Sequence, residues 1–201
     1  LVCKSKQRVL LAFTFTINSL RFAYKVPFIV TIMCYDDIVE KIADMCIKAN
    51  YDLGEDVYNA FQTALKTEKS EIGKEVLTQL IENANIAAEL RVPMCQDTGS
   101  VICIIELGQD CHIVGGSLYD AINDGIRKGY GEGYLRNSII HDPLERKNTN
   151  DNTPGIIHIE LVEGDQLKIK MTAKGGGAEN MSDLRMLKPS DGVEGIKKYI
   201  L

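Results

Sequence analysis

Pro93 divides this chain into two halves of different periodicity. Before it, apolar residues recur at three- and four-residue spacing. After it come short runs of alternating or β-branched apolar residues, broken by Gly, Asn and Asp. Helices first and mixed strands afterwards confine the chain to an α+β (mixed α/β) architecture. The expected arrangement is N-terminal helices followed by a mixed, partly antiparallel sheet with flanking helices.

In the helical half, Ile38, Ile42 and Met45 recur on one face beside Val39 and Cys46, with Asp36 and Asp37 as cap candidates. Val57, Ala60, Phe61, Ala64 and Leu65 mark a second helix. Ile72, Val76, Leu80, Ala84 and Ala87 mark a third, with Ser70 as its N-cap. Pro93 ends this helical region and pushes Val92 towards an extended conformation. Val101 to Leu107 has the character of a buried strand, and Ser117 to Tyr130 that of a helix with Leu118, Ile122 and Ile126 on one face. The stretch from Arg136 to Pro154 is polar loop. Ile157, Ile159 and Leu161, then Leu167, Ile169 and Met171, alternate with polar residues around Gly164-Asp165, a pattern that predicts a hairpin. A final amphipathic stretch follows Pro189-Ser190-Asp191. It reaches Leu201 with neither cap nor polar tail, as a truncated helix would.

Charge marks a second division. Residues 1–35 carry Lys4, Lys6, Arg8, Arg21 and Lys25 and no acid, so they are +5; the whole chain is -5, which leaves the remainder at -10. The expected boundary is Met33: residues 1–32 as a non-native or presequence extension, residues 33–201 as the domain proper. The apolar runs within 1–32 are too short to span a bilayer. An acidic domain without a basic patch excludes nucleic acid as the expected partner, and nothing calls for a membrane.

The six cysteines are Cys3, Cys34, Cys46, Cys95, Cys103 and Cys111, with no C-x-x-C pair among them. Reduced thiols in a cytoplasmic setting are the simplest reading. Cys95 differs from the others because Pro93, Gln96, Asp97, Thr98 and Gly99 flank it. A thiolate in such a loop is accessible to a metal, and neighbouring amides can stabilise its charge. Taken singly, it could equally be a packed thiol. Asp97 could handle protons or anchor a substrate, or simply close an Asx turn onto Gly99. Gly175-Gly176-Gly177 lets the backbone approach a ligand and offer amides to an anion, but matches no phosphate-loop pattern. Arg136 could grip a carboxylate through two parallel hydrogen bonds, or be merely solvated. Cys103 sits in the apolar strand, and His158 on the polar face of another.

Four segments occur together and in order: 92–99 (VPMCQDTG), 135–138 (LRNS), 148–154 (NTNDNTP) and 173–181 (AKGGGAENM). Over residues 33–201 they resemble the class I fumarase and L-tartrate dehydratase family. The likeness is greatest to the α subunit of the two-subunit form, or the N-terminal domain of the fused form. The resemblance implies a [4Fe-4S] hydro-lyase with Cys95 as one of three cysteine ligands, the open iron serving as a Lewis acid for the substrate hydroxyl and carboxylate. It implies that Gln96 and Asp97 contact substrate, that Asp97 can also act on protons, that Arg136 binds a substrate carboxylate, and that Gly175, Gly176 and Gly177 line the pocket. It implies reversible hydration of fumarate to L-malate, with L-tartrate dehydration as the alternative. It also implies a small dicarboxylate substrate, a β subunit or C-terminal domain to complete the site, and a homodimer or α2β2 assembly. The family's other two cluster cysteines lie beyond the triple glycine, where this sequence has none, so the chain alone is expected to be inactive. A reading of another class is a non-catalytic anion-binding or interaction module built on the glycine loop.

Overall fold

The computed structural model describes residues 8–11 and 28–201. Two strands come first, β1 (Arg8–Leu11) and β2 (Phe28–Cys34), followed by the helices α1 (Tyr35–Tyr51), α2 (Glu55–Thr67) and α3 (Glu71–Leu90). Then come β3 (Ser100–Gly108), β4 (Cys111–Val114), α4 (Leu118–Glu132), β5 (Ile156–Val162), β6 (Leu167–Lys174) and α5 (Gly192–Ile200). The fold is α+β, as the periodicity predicts. Most of the basic 1–32 segment lies outside the described residues. β2 runs through Met33, pairing antiparallel with β1 and parallel with β4.

The helix starts show which local signals operate. Ser70 accepts a hydrogen bond from the Gly73 amide, so it caps α3 as expected. Ser117 caps α4 in the same way, through the Asp120 amide. Asp36 and Asp37 do not cap α1. Cys34 holds the cap position but its side chain makes no capping hydrogen bond, and the two acids fall in the first turn, where they complement the helix dipole. α3 ends at Leu90, with Arg91 left-handed at φ 53, two residues before Pro93.

The predicted hairpin does not form. β3 lies between β5 and β6, parallel to the first and antiparallel to the second. β3 is apolar on both faces, with Val101, Cys103 and Ile105 on one and Ile102 and Ile104 on the other, so the central position removes more apolar surface from water than an edge would. β5 and β6 alternate with charged residues and suit the edges. The Gly164 turn instead crosses the end of β3, where the Gly108 amide donates to Gln166 and the Asp110 amide to Gly164.

The core lies between this sheet and the α1–α4 pair. Ile38, Ile42 and Cys46 of α1 meet Ile122, Ile126 and Tyr130 of α4 over Val101, Cys103 and Ile105. The two helices touch closely at Gly125 and Gly129. A Cβ on Gly129 would stand 2.7 Å from the Ala43 carbonyl oxygen, so only glycine permits this crossing. Among the described residues no helix is long and apolar enough to cross a membrane.

Candidate active site

The core covers one face of the sheet, and the candidate residues of the 93–99 and 175–177 segments gather where β3 begins and β6 ends. The segment 93–99 leaves α3 and enters β3. Its start is pinned by the Met94 amide donating to the Asn50 carbonyl at 2.9 Å and by Asn83 Nδ2 donating to the Met94 carbonyl at 3.0 Å. Cys95 and Gln96 are exposed at the crest, Asp97 is half-buried, and Thr98 and Gly99 are buried. The Asp97 amide donates to Cys95 Sγ at 3.4 Å, across the exposed crest of the loop.

Asp97 joins two of the four segments. Its Oδ1 accepts from the Gly99 amide at 3.1 Å, which is the Asx turn, and its Oδ2 accepts from the Gly176 amide at 2.8 Å. The triple glycine thus begins against this carboxylate. A Cβ on Gly175 would lie 3.2 Å from Asp97 Oδ2, whereas one on Gly177 would meet nothing within 4 Å. The chain then coils into a short 3-10 turn, Gly176–Met181, rather than remaining an open loop. Lys174 Nζ reaches Glu179 Oε1 at 3.0 Å across it.

Arg136 is brought in through its backbone. The Arg136 amide donates to Thr98 Oγ1 at 2.9 Å, and the Thr98 hydroxyl donates to the Arg136 carbonyl at 3.2 Å. Arg136 itself is exposed, and its guanidinium makes no ion pair among the described residues. Gln96 likewise has no hydrogen-bond partner there. Both remain available to a ligand. His141 and His158 are exposed and join none of this.

The other free thiols do not approach Cys95. Cys46, Cys103 and Cys111 are buried, and burial pushes the Cys46 thiol up to about 12 and Cys103 up to about 11. Cys34 is not a free thiol but disulfide-bonded, so the expectation of uniformly reduced cysteines fails there. Among the described residues no three His, Cys, Asp or Glu side chains could together hold a metal. Cys95, an accessible thiol with an amide on its sulfur, has the chemistry of a single cluster ligand, and no second exposed free thiol stands among the described residues.

Residues without a recognisable signal of their own complete the arrangement. Tyr130 donates from its hydroxyl to the Thr98 and Gly99 carbonyls at 2.7 and 3.1 Å, and Asn152 bridges Gly99 to Ser138. Tyr130 has the apolar spacing of a core residue, and only its buried hydroxyl distinguishes it. Asn152 stands in the 148–154 segment, where six polar residues in a row leave no clue to which one turns inward. Its neighbour Asp151 anchors that segment, accepting from Thr153 and from Arg127 Nε at 3.0 Å. Partial burial works to raise the Asp151 carboxyl, but the Thr153 and Arg127 bonds prevail and hold it at about 2. A depressed carboxyl stabilises the fold above its unfolded pKa of about 3.9 and loses that contribution as pH falls through about 2. Asp151→Asn should therefore melt below the parent at pH 6, by on the order of 1 kcal/mol given its partial exposure. The gap should narrow between pH 4 and pH 2. A gap that stays constant down to pH 3 in paired thermal melts would contradict this.

A family model described as fumarate hydratase (Fumerase) matches residues 39–201, and the chain belongs to that family. A putative L(+)-tartrate dehydratase subunit alpha from Methanocaldococcus jannaschii is 42% identical over 173 residues, covering 80% of this chain and 60% of that protein. The anaerobic class I fumarate hydratase of Escherichia coli K12 is 37% identical over 119 residues, 58% of this chain and 22% of that protein. An L(+)-tartrate dehydratase subunit alpha of Escherichia coli UTI89 is 24% identical, over 81% of this chain and 54% of that protein. The chain thus spans at most 60% of the length of these curated relatives.

Proposed function

We propose that this chain is the α-subunit-type portion of an iron–sulfur hydro-lyase that reversibly hydrates fumarate to L-malate. The observation that carries the reading is the Asp97 carboxylate, which ties the Cys95 loop to the triple glycine at 2.8 Å. Through it an accessible thiol, a free amide side chain and a close-approach backbone share one end of the sheet. A [4Fe-4S] cluster, held in part by Cys95, would supply Lewis-acid activation of the substrate's oxygens. Arg136 pairs with a carboxylate of the dicarboxylate through its planar fork. Gln96 hydrogen-bonds the substrate, and the open face at Gly177 leaves room for it. Each Asp97 oxygen, already oriented by one backbone amide, has a lone pair left for a substrate hydroxyl or its proton. Hydration places the hydroxyl of a water on one olefinic carbon and its proton on the other, so atoms balance without a further reactant. The base that handles the carbon-bound proton, and the remaining cluster ligands, belong on this reading to a β subunit or C-terminal domain.

A second reading is L(+)-tartrate dehydration, the reaction for which the 42% identical relative is named. The complete protein with its partner, prepared without oxygen, discriminates when assayed on L-malate and on L(+)-tartrate. Turnover of malate with a higher kcat/KM than tartrate is the expected result, and the reverse order selects the second reading. An iron-replete preparation that turns over neither substrate sinks the proposal.

A further inference from the structure

Asn152 is completely buried, yet every polar atom of its side chain is used. Its Oδ1 accepts from the Ser138 amide at 2.7 Å, and its Nδ2 donates to the Gly99 carbonyl at 3.1 Å. Its backbone is left-handed at φ 57, a conformation that asparagine tolerates better than most residues. Ser138 is two residues from Arg136, and Gly99 is two residues from Asp97. One amide side chain therefore straps the loop that carries the candidate carboxylate-binding arginine to the loop that carries Cys95, Gln96 and Asp97. Thr98 provides a second strap, hydrogen-bonded to both the amide and the carbonyl of Arg136. Tyr130 holds the Thr98 and Gly99 carbonyls from below, so the strap is anchored in the core.

We propose that Asn152 is a positioning residue that fixes the spacing between Arg136 and the Cys95–Gly99 loop, and thereby sets how tightly the site holds a dicarboxylate. The proposal rests on the hydro-lyase reading for its ligand but on the hydrogen bonds alone for its geometry. Buried amides that satisfy two separate loops fix one arrangement because each lost partner would be left unsatisfied away from water. A displacement of about 1 Å between binding groups is enough to cost a large factor in productive binding.

The test compares Asn152→Gly with Asn150→Gly in the complete protein. Both residues have positive φ, so glycine suits either backbone, but Asn150 is exposed and outside the strap. In Asn152→Gly, the amides of Ser138 and Arg136 should both exchange with deuterium faster by about tenfold or more, while Asn150→Gly leaves them unchanged. KM for L-malate should rise about tenfold or more with a much smaller change in kcat, and iron content should not change. Thr98→Val, which cuts the second strap in an isosteric side chain, should shift KM in the same direction and serves if Asn152→Gly does not fold. Faster exchange at Ser138 with Arg136 unaffected would overturn the proposal, as would equal effects of the two glycine variants. If the parent protein turns over no dicarboxylate, the hydro-lyase reading fails, while the exchange measurement still decides the role of Asn152.

Discussion

Cys95→Ser in the complete protein should lose most of its iron and lower hydration of fumarate by a factor of about 10³ or more. Iron–sulfur clusters are held by thiolates, and a serine hydroxyl at ordinary pH is a far poorer ligand. The structure makes the substitution specific to the site. Cys95 is exposed and lies outside the core cluster, and its sulfur accepts a hydrogen bond from the Asp97 amide. Replacement of the sulfur by oxygen should therefore leave the melting temperature of the apoprotein within about 1–2 °C of the parent. Cys103→Ser is the informative contrast. Cys103 is fully buried in β3, so a hydroxyl there costs stability while leaving the iron ratio of the folded fraction unchanged. Iron is measured per folded protein, and activity on the same preparation. Unchanged iron in Cys95→Ser would favour a non-catalytic, anion-binding module instead of an enzyme.

How much of this could be read beforehand depended on how local the cause was. The helices are legible because their signals lie within a turn or two: the Ser70 cap, the Ile38–Ile42–Met45 stripe, the stop before Pro93. The hairpin was misread because alternation in β5 and β6 identifies edge strands without saying which strand they flank. Only the two-sided apolar character of β3, weighed against both, assigns it the centre. The candidate site divides in the same way. Cys95, Gln96, Asp97 and the triple glycine were visible as motifs, and the structure brings the two segments to one place through a single carboxylate. Arg136 was nominated for its fork, but its connection to the rest runs through its backbone, via Thr98, and no side-chain pattern reports that. Asn152 could not be singled out from Asn148 or Asn150, since inward and outward asparagines differ only in what the fold presents to them.

Gly99→Ala should be the most damaging small substitution in the site, costing about 3 kcal/mol or more of stability. Two causes add. Gly99 has φ +63, where an alanine pays for its Cβ. That Cβ would also stand 2.1 Å from the Lys174 carbonyl oxygen and 2.7 Å from the Gly175 nitrogen. Both are backbone atoms at the end of β6, so no side-chain rotation relieves the clash, and the 93–99 loop must lift from the glycine segment. Lifting it removes the Asp97 to Gly176 bond, and the coupling between the two segments goes with it. Gly177→Ala provides the comparison, because a Cβ there meets nothing within 4 Å and its stability should stay within about 0.5 kcal/mol of the parent. Urea unfolding of both variants gives the stability difference, and hydrogen exchange at the Gly176 amide reports the lost bond directly. A Gly99→Ala protein as stable as Gly177→Ala, with the Gly176 amide still protected, would mean that the two segments are not locked together at this glycine. In that case the bond from the Gly176 amide to Asp97 would have to join the two segments without help from a close approach at Gly99.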